Sequence, residues 1–167
     1  MSEKHRTLST TALLLFALSL PLSTFSQSKD IPVFEATQLS DIVASKPTST
    51  HIFSFWATWC APCLKEINLI KSIEGECDCN LTLHFVNVEE EIRRPKALKQ
   101  ATKRDFLDQL YFTKNANSDF YNQIDSQWTG TFPALLIIDP TTGKRWFFNQ
   151  LTSRKKLTSL LDSISSR

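Results

Sequence analysis

Apolar and polar positions along this chain switch between two periods, and each switch marks the edge of an element. The run His51-Ile52-Phe53-Ser54-Phe55-Trp56 is apolar and β-rich, and it follows the turn Lys46-Pro47-Thr48. Such a run reads as a central strand buried on both faces. Leu81 to Val88 and Ala134 to Ile138 read the same way. Between the first two strands, Leu64 to Glu74 has helical spacing, and Glu74-Gly75-Glu76-Cys77-Asp78-Cys79-Asn80 is a polar loop. A strand, helix, strand order implies a parallel pair joined by a right-handed crossover.

The flanking segments are read by the same rules. Ile31 to Phe34 is a short strand, and a helix runs from about Gln38 to Ser45. Glu89-Glu90-Glu91 with Arg93-Arg94 reads as a solvated strand end and loop. Pro95 suits the first position of a helix reaching about Phe106. Gln109 to Phe112 is a short edge strand, and Ser118 to Ile124 a further helix. The turn cluster Asp139 to Lys144 folds the third central strand back onto Arg145 to Phe148 as a hairpin. Thr152 is placed to cap a last helix through Ile164, with Leu157, Leu160, Leu161 and Ile164 on one face.

Composition narrows the function classes. The chain has 167 residues, 41% of them hydrophobic and 22% charged, which is globular rather than disordered. A formal charge of +2 gives no reason to expect nucleic acid or an anionic membrane as a partner. With three glycines and neither a GxGxxG nor a Walker motif, nucleotide chemistry is disfavoured. The first residues are a separate case. Lys4, His5 and Arg6 precede the apolar run Ala12 to Leu20, then Pro21 and the small residues Ser23, Thr24, Ser26 and Ser28. This is the layout of a secretory signal over residues 1–26, with cleavage after Ser26. The run is shorter than the roughly 20 apolar residues of a membrane span, and an uncleaved anchor stays open as the alternative. Residues 27–167 then form one domain outside the cytosol, with the periplasm as the expected location.

Export bears on the four cysteines, because thiols outside the cytosol tend to be oxidised. In Phe55-Trp56-Ala57-Thr58-Trp59-Cys60-Ala61-Pro62-Cys63 an apolar strand ends in two cysteines separated by two residues, and a helix follows. Unpaired N–H groups and the helix dipole favour negative charge at that turn. A cysteine there loses its proton more readily, and the thiolate is the attacking species. The spacing lets the second sulfur close a disulfide, so Cys60 and Cys63 read as a redox pair. A structural bridge or a metal pair is the alternative.

The element order, the Cys-x-x-Cys after a strand and Pro133 before the third central strand together resemble the thioredoxin fold. That is an α/β fold with a central mixed sheet flanked by helices, here with an insertion near residues 89–116 before the proline strand. Within that superfamily, the signal, Trp59-Cys60-Ala61-Pro62-Cys63 with Glu66 following, and the insertion resemble exported bacterial thiol-disulfide reductases of the TlpA/ResA type. The resemblance implies that Cys60 attacks a substrate disulfide and Cys63 resolves the mixed disulfide. It implies a cis peptide before Pro133, lying against the cysteines, with Trp59, Thr131 and Phe132 as substrate contacts. Its partners would be disulfide-bearing proteins and an upstream thiol electron donor, with no cofactor and a monomeric chain. Ala61 places no charge between the cysteines, which leans the pair towards donating electrons.

Glu66 lies in the helix arc shared by Cys63, Ile67, Leu69, Ile70 and Ile73, so its carboxyl should be desolvated and its pKa raised. The resemblance implies a proton-shuttling role for a glutamate at this offset. Ser54 stands two residues before Trp56, where thioredoxins commonly carry an acid, and it cannot act as a base. Asn68 stands where such helices usually carry proline, which predicts a straighter helix. Cys77 and Cys79 form a C-x-C pair open to four readings: a local disulfide, spectator thiols, a second relay or part of a metal site. With Cys60 and Cys63 they give C-x2-C-x13-C-x-C, a spacing vaguely like a zinc ribbon. A zinc or copper module and a non-catalytic interaction domain are therefore the competing functions. His51 and His84 lie in apolar strands and read as strand-end or satisfied core residues.

Overall fold

The computed structural model describes residues 30–166; the expected signal over residues 1–26 lies outside them. The element order is α1 (Leu39–Ala44), β1 (Thr50–Trp56), α2 (Ala61–Glu76), β2 (Leu81–Asn87), α3 (Arg94–Lys103), β3 (Leu110–Phe112), α4 (Ser118–Ile124), β4 (Ala134–Asp139), β5 (Lys144–Phe148) and α5 (Arg154–Ser165). The strands form one mixed sheet in the order β3-β2-β1-β4-β5. β1 runs parallel to β2, with Trp56 beside Asn87, and antiparallel to β4. The right-hand neighbours β4 and β5 are the expected hairpin.

Alternation along the strands sends side chains to two cores. On one face Ile52, Trp56, Leu83, Phe85, Leu135 and Ile137 meet Cys63, Ile67, Ile70 and Ile73 of α2, Ala97 and Ala101 of α3, and Leu157 and Leu161 of α5. On the other, Phe53, Phe55, Val86, Leu136 and Ile138 pack with Phe34, Leu39, Phe120, Ile124 and Trp128. All seven residues of β1 are buried, as a strand between two layers requires. Among the described residues no helix is long and apolar enough to cross a membrane.

Several boundaries differ from the sequence expectation for identifiable reasons. The strand expected over 31–34 is reduced to one parallel bridge between Val33 and Phe112. Pro32 has no N–H and contributes only its carbonyl, to Phe112, and the chain then turns into a 3-10 segment at Ala36–Gln38. α3 ends at Lys103, short of Phe106, because Asp105 takes a left-handed φ of 55°. α5 is capped by the Ser153 side chain, which accepts from the Lys156 N–H, and not by Thr152. The insertion supplies the β2–α3–β3 crossover, which adds an edge strand to the parallel side.

The buried histidines form a pair. His51 Nδ1 lies 3.0 Å from His84 Nε2, and His51 Nε2 lies 3.1 Å from the Lys46 carbonyl. A carbonyl can only accept, so His51 carries its proton on Nε2 and accepts at Nδ1 from His84. That leaves His84 Nδ1 as a bare acceptor, and it has no partner. His84 is thus not fully satisfied. Desolvation, then the neighbouring His51 and Lys46, push its pKa down to about 3.

Candidate active site

β1 ends at Trp56, and three residues carry the chain to Cys60, the N-cap of α2. Pro62 falls in the first turn, where its missing N–H costs no hydrogen bond. Cys60 and Cys63 are joined by a disulfide. The Cys60 sulfur accepts a hydrogen bond from the Cys63 N–H at 3.2 Å. A thiolate at this atom would keep that bond and face the positive end of α2. Cys60 retains 4% of its surface and Cys63 none, so Cys60 is the more exposed sulfur of the pair.

The Phe132–Pro133 peptide is cis. Trp59 is 65% exposed, and its ring meets the Phe132 ring edge-on at 6.1 Å. Phe132 is backed in turn by Trp128 and Tyr121. The Thr131 carbonyl accepts from the Trp128 indole at 2.9 Å, which holds the loop entering β4. That carbonyl is thereby occupied, while Phe132 forms no backbone hydrogen bond among the described residues. Beside these rings lies a cleft of about 340 Å³ lined by Ala57, Trp59, Val88, Glu89, Glu90, Arg93, Tyr121 and Phe132. A larger cleft of about 560 Å³ lies away from the cysteines, around His84, Tyr111 and Lys46. The smaller one adjoins the chemistry.

Glu66 is fully buried one turn after Cys63. Its Oε1 accepts from the Thr152 N–H at 3.3 Å, and its Oε2 has no partner. Desolvation raises its pKa to about 7, outweighing the opposing bond from Thr152. A carboxyl with one unpartnered oxygen and a pKa near neutrality can hold or release a proton at working pH. Asn68 lies on the exposed side of α2, which continues without interruption to Glu76.

Glu89 corrects the sequence reading of a solvated charge run. It is 8% exposed. Its carboxylate accepts from the Thr58 N–H at 2.6 Å, the Thr58 hydroxyl at 2.9 Å and the Asn87 side-chain amide at 3.1 Å. The loop carrying Trp59 and Cys60 is therefore tied to the end of β2. The strand register brings them together: Trp56 and Asn87 are parallel partners, so residues two beyond each, Thr58 and Glu89, remain neighbours.

The zinc-like grouping of four cysteines does not form. Cys60–Cys63 and Cys77–Cys79 pair separately, at opposite ends of α2. Among the described residues no group of three or more His, Cys, Asp or Glu is placed to hold a metal.

No protein-family model and no curated protein matches the chain in sequence. Solved structures match it in fold. A secreted thiol-disulfide isomerase from Corynebacterium glutamicum superposes with a TM-score of 0.62 at 18% identity, over 83% of this chain and 85% of that one. A putative thiol:disulfide interchange protein DsbE from Chlorobium tepidum gives 0.58 at 16% identity, over 73% and 84%. A thioredoxin-related protein from Neisseria meningitidis gives 0.54 at 22% identity, over 72% and 87%. The chain has the thioredoxin-like fold, with a disulfide at the N-terminus of its second helix.

Proposed function

We propose that the protein is an exported thiol-disulfide oxidoreductase that reduces disulfides in extracytoplasmic proteins. The observation that carries this is the Cys60–Cys63 disulfide at the N-cap of α2, with Cys60 the more exposed partner and preceded by Trp59, whose ring meets that of Phe132. In the reduced enzyme the Cys60 thiolate attacks one sulfur of a substrate disulfide. A mixed disulfide forms and the substrate's other sulfur leaves as a thiolate. Cys63 then attacks the Cys60 sulfur, closing the enzyme disulfide and releasing the substrate as a dithiol. Two electrons pass to the substrate, and an upstream thiol donor restores the enzyme.

Glu66 accepts the Cys63 proton during resolution, which a carboxyl with a pKa of about 7 is suited to do. Phe132, with its backbone uncommitted, lines an extended substrate segment beside Pro133, and Trp59 covers its apolar side chains. Thr131 is assigned a supporting place in this contact, since Trp128 already holds its carbonyl. The uncharged Ala61 supports reduction as the direction. Export rests on the signal-like residues 1–26, and the Corynebacterium protein of similar fold is itself described as secreted.

The test is reduction of insulin disulfides by the pre-reduced protein. Cys60→Ser should abolish turnover, and Cys63→Ser should accumulate a mixed disulfide through Cys60. A reduced wild type that leaves insulin untouched would remove the proposal.

A further inference from the structure

The second cysteine pair has no part in the mechanism above. Cys77 is the C-cap of α2, and Cys79 lies two residues on in the loop to β2; their sulfurs are joined. This bridge spans a single residue, Asp78, and so ties no two elements together. A disulfide closing so short a loop removes the least entropy from the unfolded chain. The loop is also held without it. The Cys77 N–H bonds to the Ile73 carbonyl, the Thr50 N–H to the Asn80 carbonyl at 2.8 Å, and the Asn80 side chain to the Thr48 carbonyl at 3.1 Å. A structural role is therefore poorly supported, and accessibility favours a chemical one. Cys77 and Cys79 are both partly exposed, whereas Cys60 and Cys63 are buried.

We propose that Cys77–Cys79 is a second thiol-disulfide exchange site, serving an external protein dithiol. A thiolate of that partner attacks one sulfur of the pair, forming a mixed disulfide and releasing the other cysteine as a thiolate, which takes a proton. The partner's second thiol then displaces the bound cysteine. The partner is oxidised to a disulfide by two electrons, and Cys77 and Cys79 become two thiols.

The site works on partners rather than on the first pair. α2 has 16 residues, so its two ends stand about 24 Å apart, far beyond the 4.4–6.8 Å between Cα atoms that a disulfide spans. Its surroundings differ as well. Cys60 sits at the positive end of the helix; Cys77 sits at the negative end, with Glu74, Glu76 and Asp78 adjoining and Lys71 and Arg154 paired to the glutamates. Lys71 and Arg154 offset the two glutamates, so Cys77 lacks the positive surroundings that favour a thiolate at Cys60.

The test uses the full mature chain carrying Cys60→Ser and Cys63→Ser, so that it reads the second pair alone and stands apart from insulin reduction. Reduced thioredoxin serves as the protein dithiol, and alkylation counts thiols. The air-oxidised variant should show no free thiol, then gain two per chain with thioredoxin at least tenfold faster than with equimolar glutathione. With Cys79→Ser added, a thioredoxin lacking its resolving cysteine should be trapped on Cys77 after oxidation. Two free thiols at the outset, or no gain with thioredoxin, would overturn the proposal. So would a loss of more than about 10 °C in Tm on reducing the pair, which would mark it as structural.

Discussion

At the residue scale, Glu66 and Glu89 do different things with buried carboxyls. Glu66 keeps one oxygen without a partner and a pKa of about 7. Glu66→Gln should slow turnover by roughly 100-fold, the usual scale for losing a general acid–base, and should remove an inflection near pH 7 from the rate profile. Stopped-flow oxidation of the reduced enzyme across pH checks this. Glu89 is committed to Thr58 and Asn87. Glu89→Ala strands the Thr58 donors in a buried site and should cost about 2–3 kcal/mol by urea unfolding. Glu89→Gln keeps an acceptor and should cost less than half of that. If both variants unfold at the wild-type midpoint, the tie is not stabilising. The burial of Glu66 and the upward shift of its pKa were legible from its place in an apolar helix arc. Glu89 was not, because a run of three glutamates looks like solvent-facing sequence until the parallel register brings it beside Thr58.

At the scale of elements, α2 sets the redox pair by what lies at its start. Ala61 is exposed and uncharged. Placing a cation there by Ala61→His should favour the thiolate and make the disulfide more oxidising. The shift in a thiol-redox titration should be roughly 30 mV, a tenfold change in the exchange constant; a shift to a more reducing value would contradict the electrostatic account of the helix start. The central strands and α4 were readable because burial on two faces and a clean helical stretch leave little choice of period. The ends were less so. Whether Thr152 or Ser153 caps α5 is invisible in sequence, since both are good caps; the tertiary demand of Glu66 for the Thr152 N–H accompanies the choice of Ser153. The expected strand at 31–34 is reduced to a bridge, because Pro32 has no N–H with which to extend the pairing beyond the two bonds that Phe34 and Pro32 make to Phe112.

At the scale of the whole molecule, two buried groups pull stability in opposite directions with pH. Below 6.5 an unfolded His84 takes a proton that the folded one refuses until about pH 3, so acidification through that window destabilises. Folded Glu66 holds a proton up to about pH 7 that the unfolded chain releases near 4.5, so stability falls as pH rises through that window. Each slope is about 1.4 kcal/mol per unit; they oppose one another between 4.5 and 6.5, where His51, its pKa also lowered by desolvation, adds to the His84 side. Urea unfolding should therefore show stability falling on either side of about pH 6.5. Glu66→Gln should move the optimum above pH 6.5, and an unchanged curve would contradict the buried-acid account. The sheet adds a further consequence. β1 is buried throughout between β2 and β4, while β3 contributes three residues at the edge and is reached through α3. Amides of β1 should exchange with solvent only through global unfolding, and those of β3 through smaller local openings. The cleft wall formed by Glu90 and Arg93 lies on the connection from β2 to α3 and outside the sheet, whereas the strand that delivers Cys60 is held on both edges.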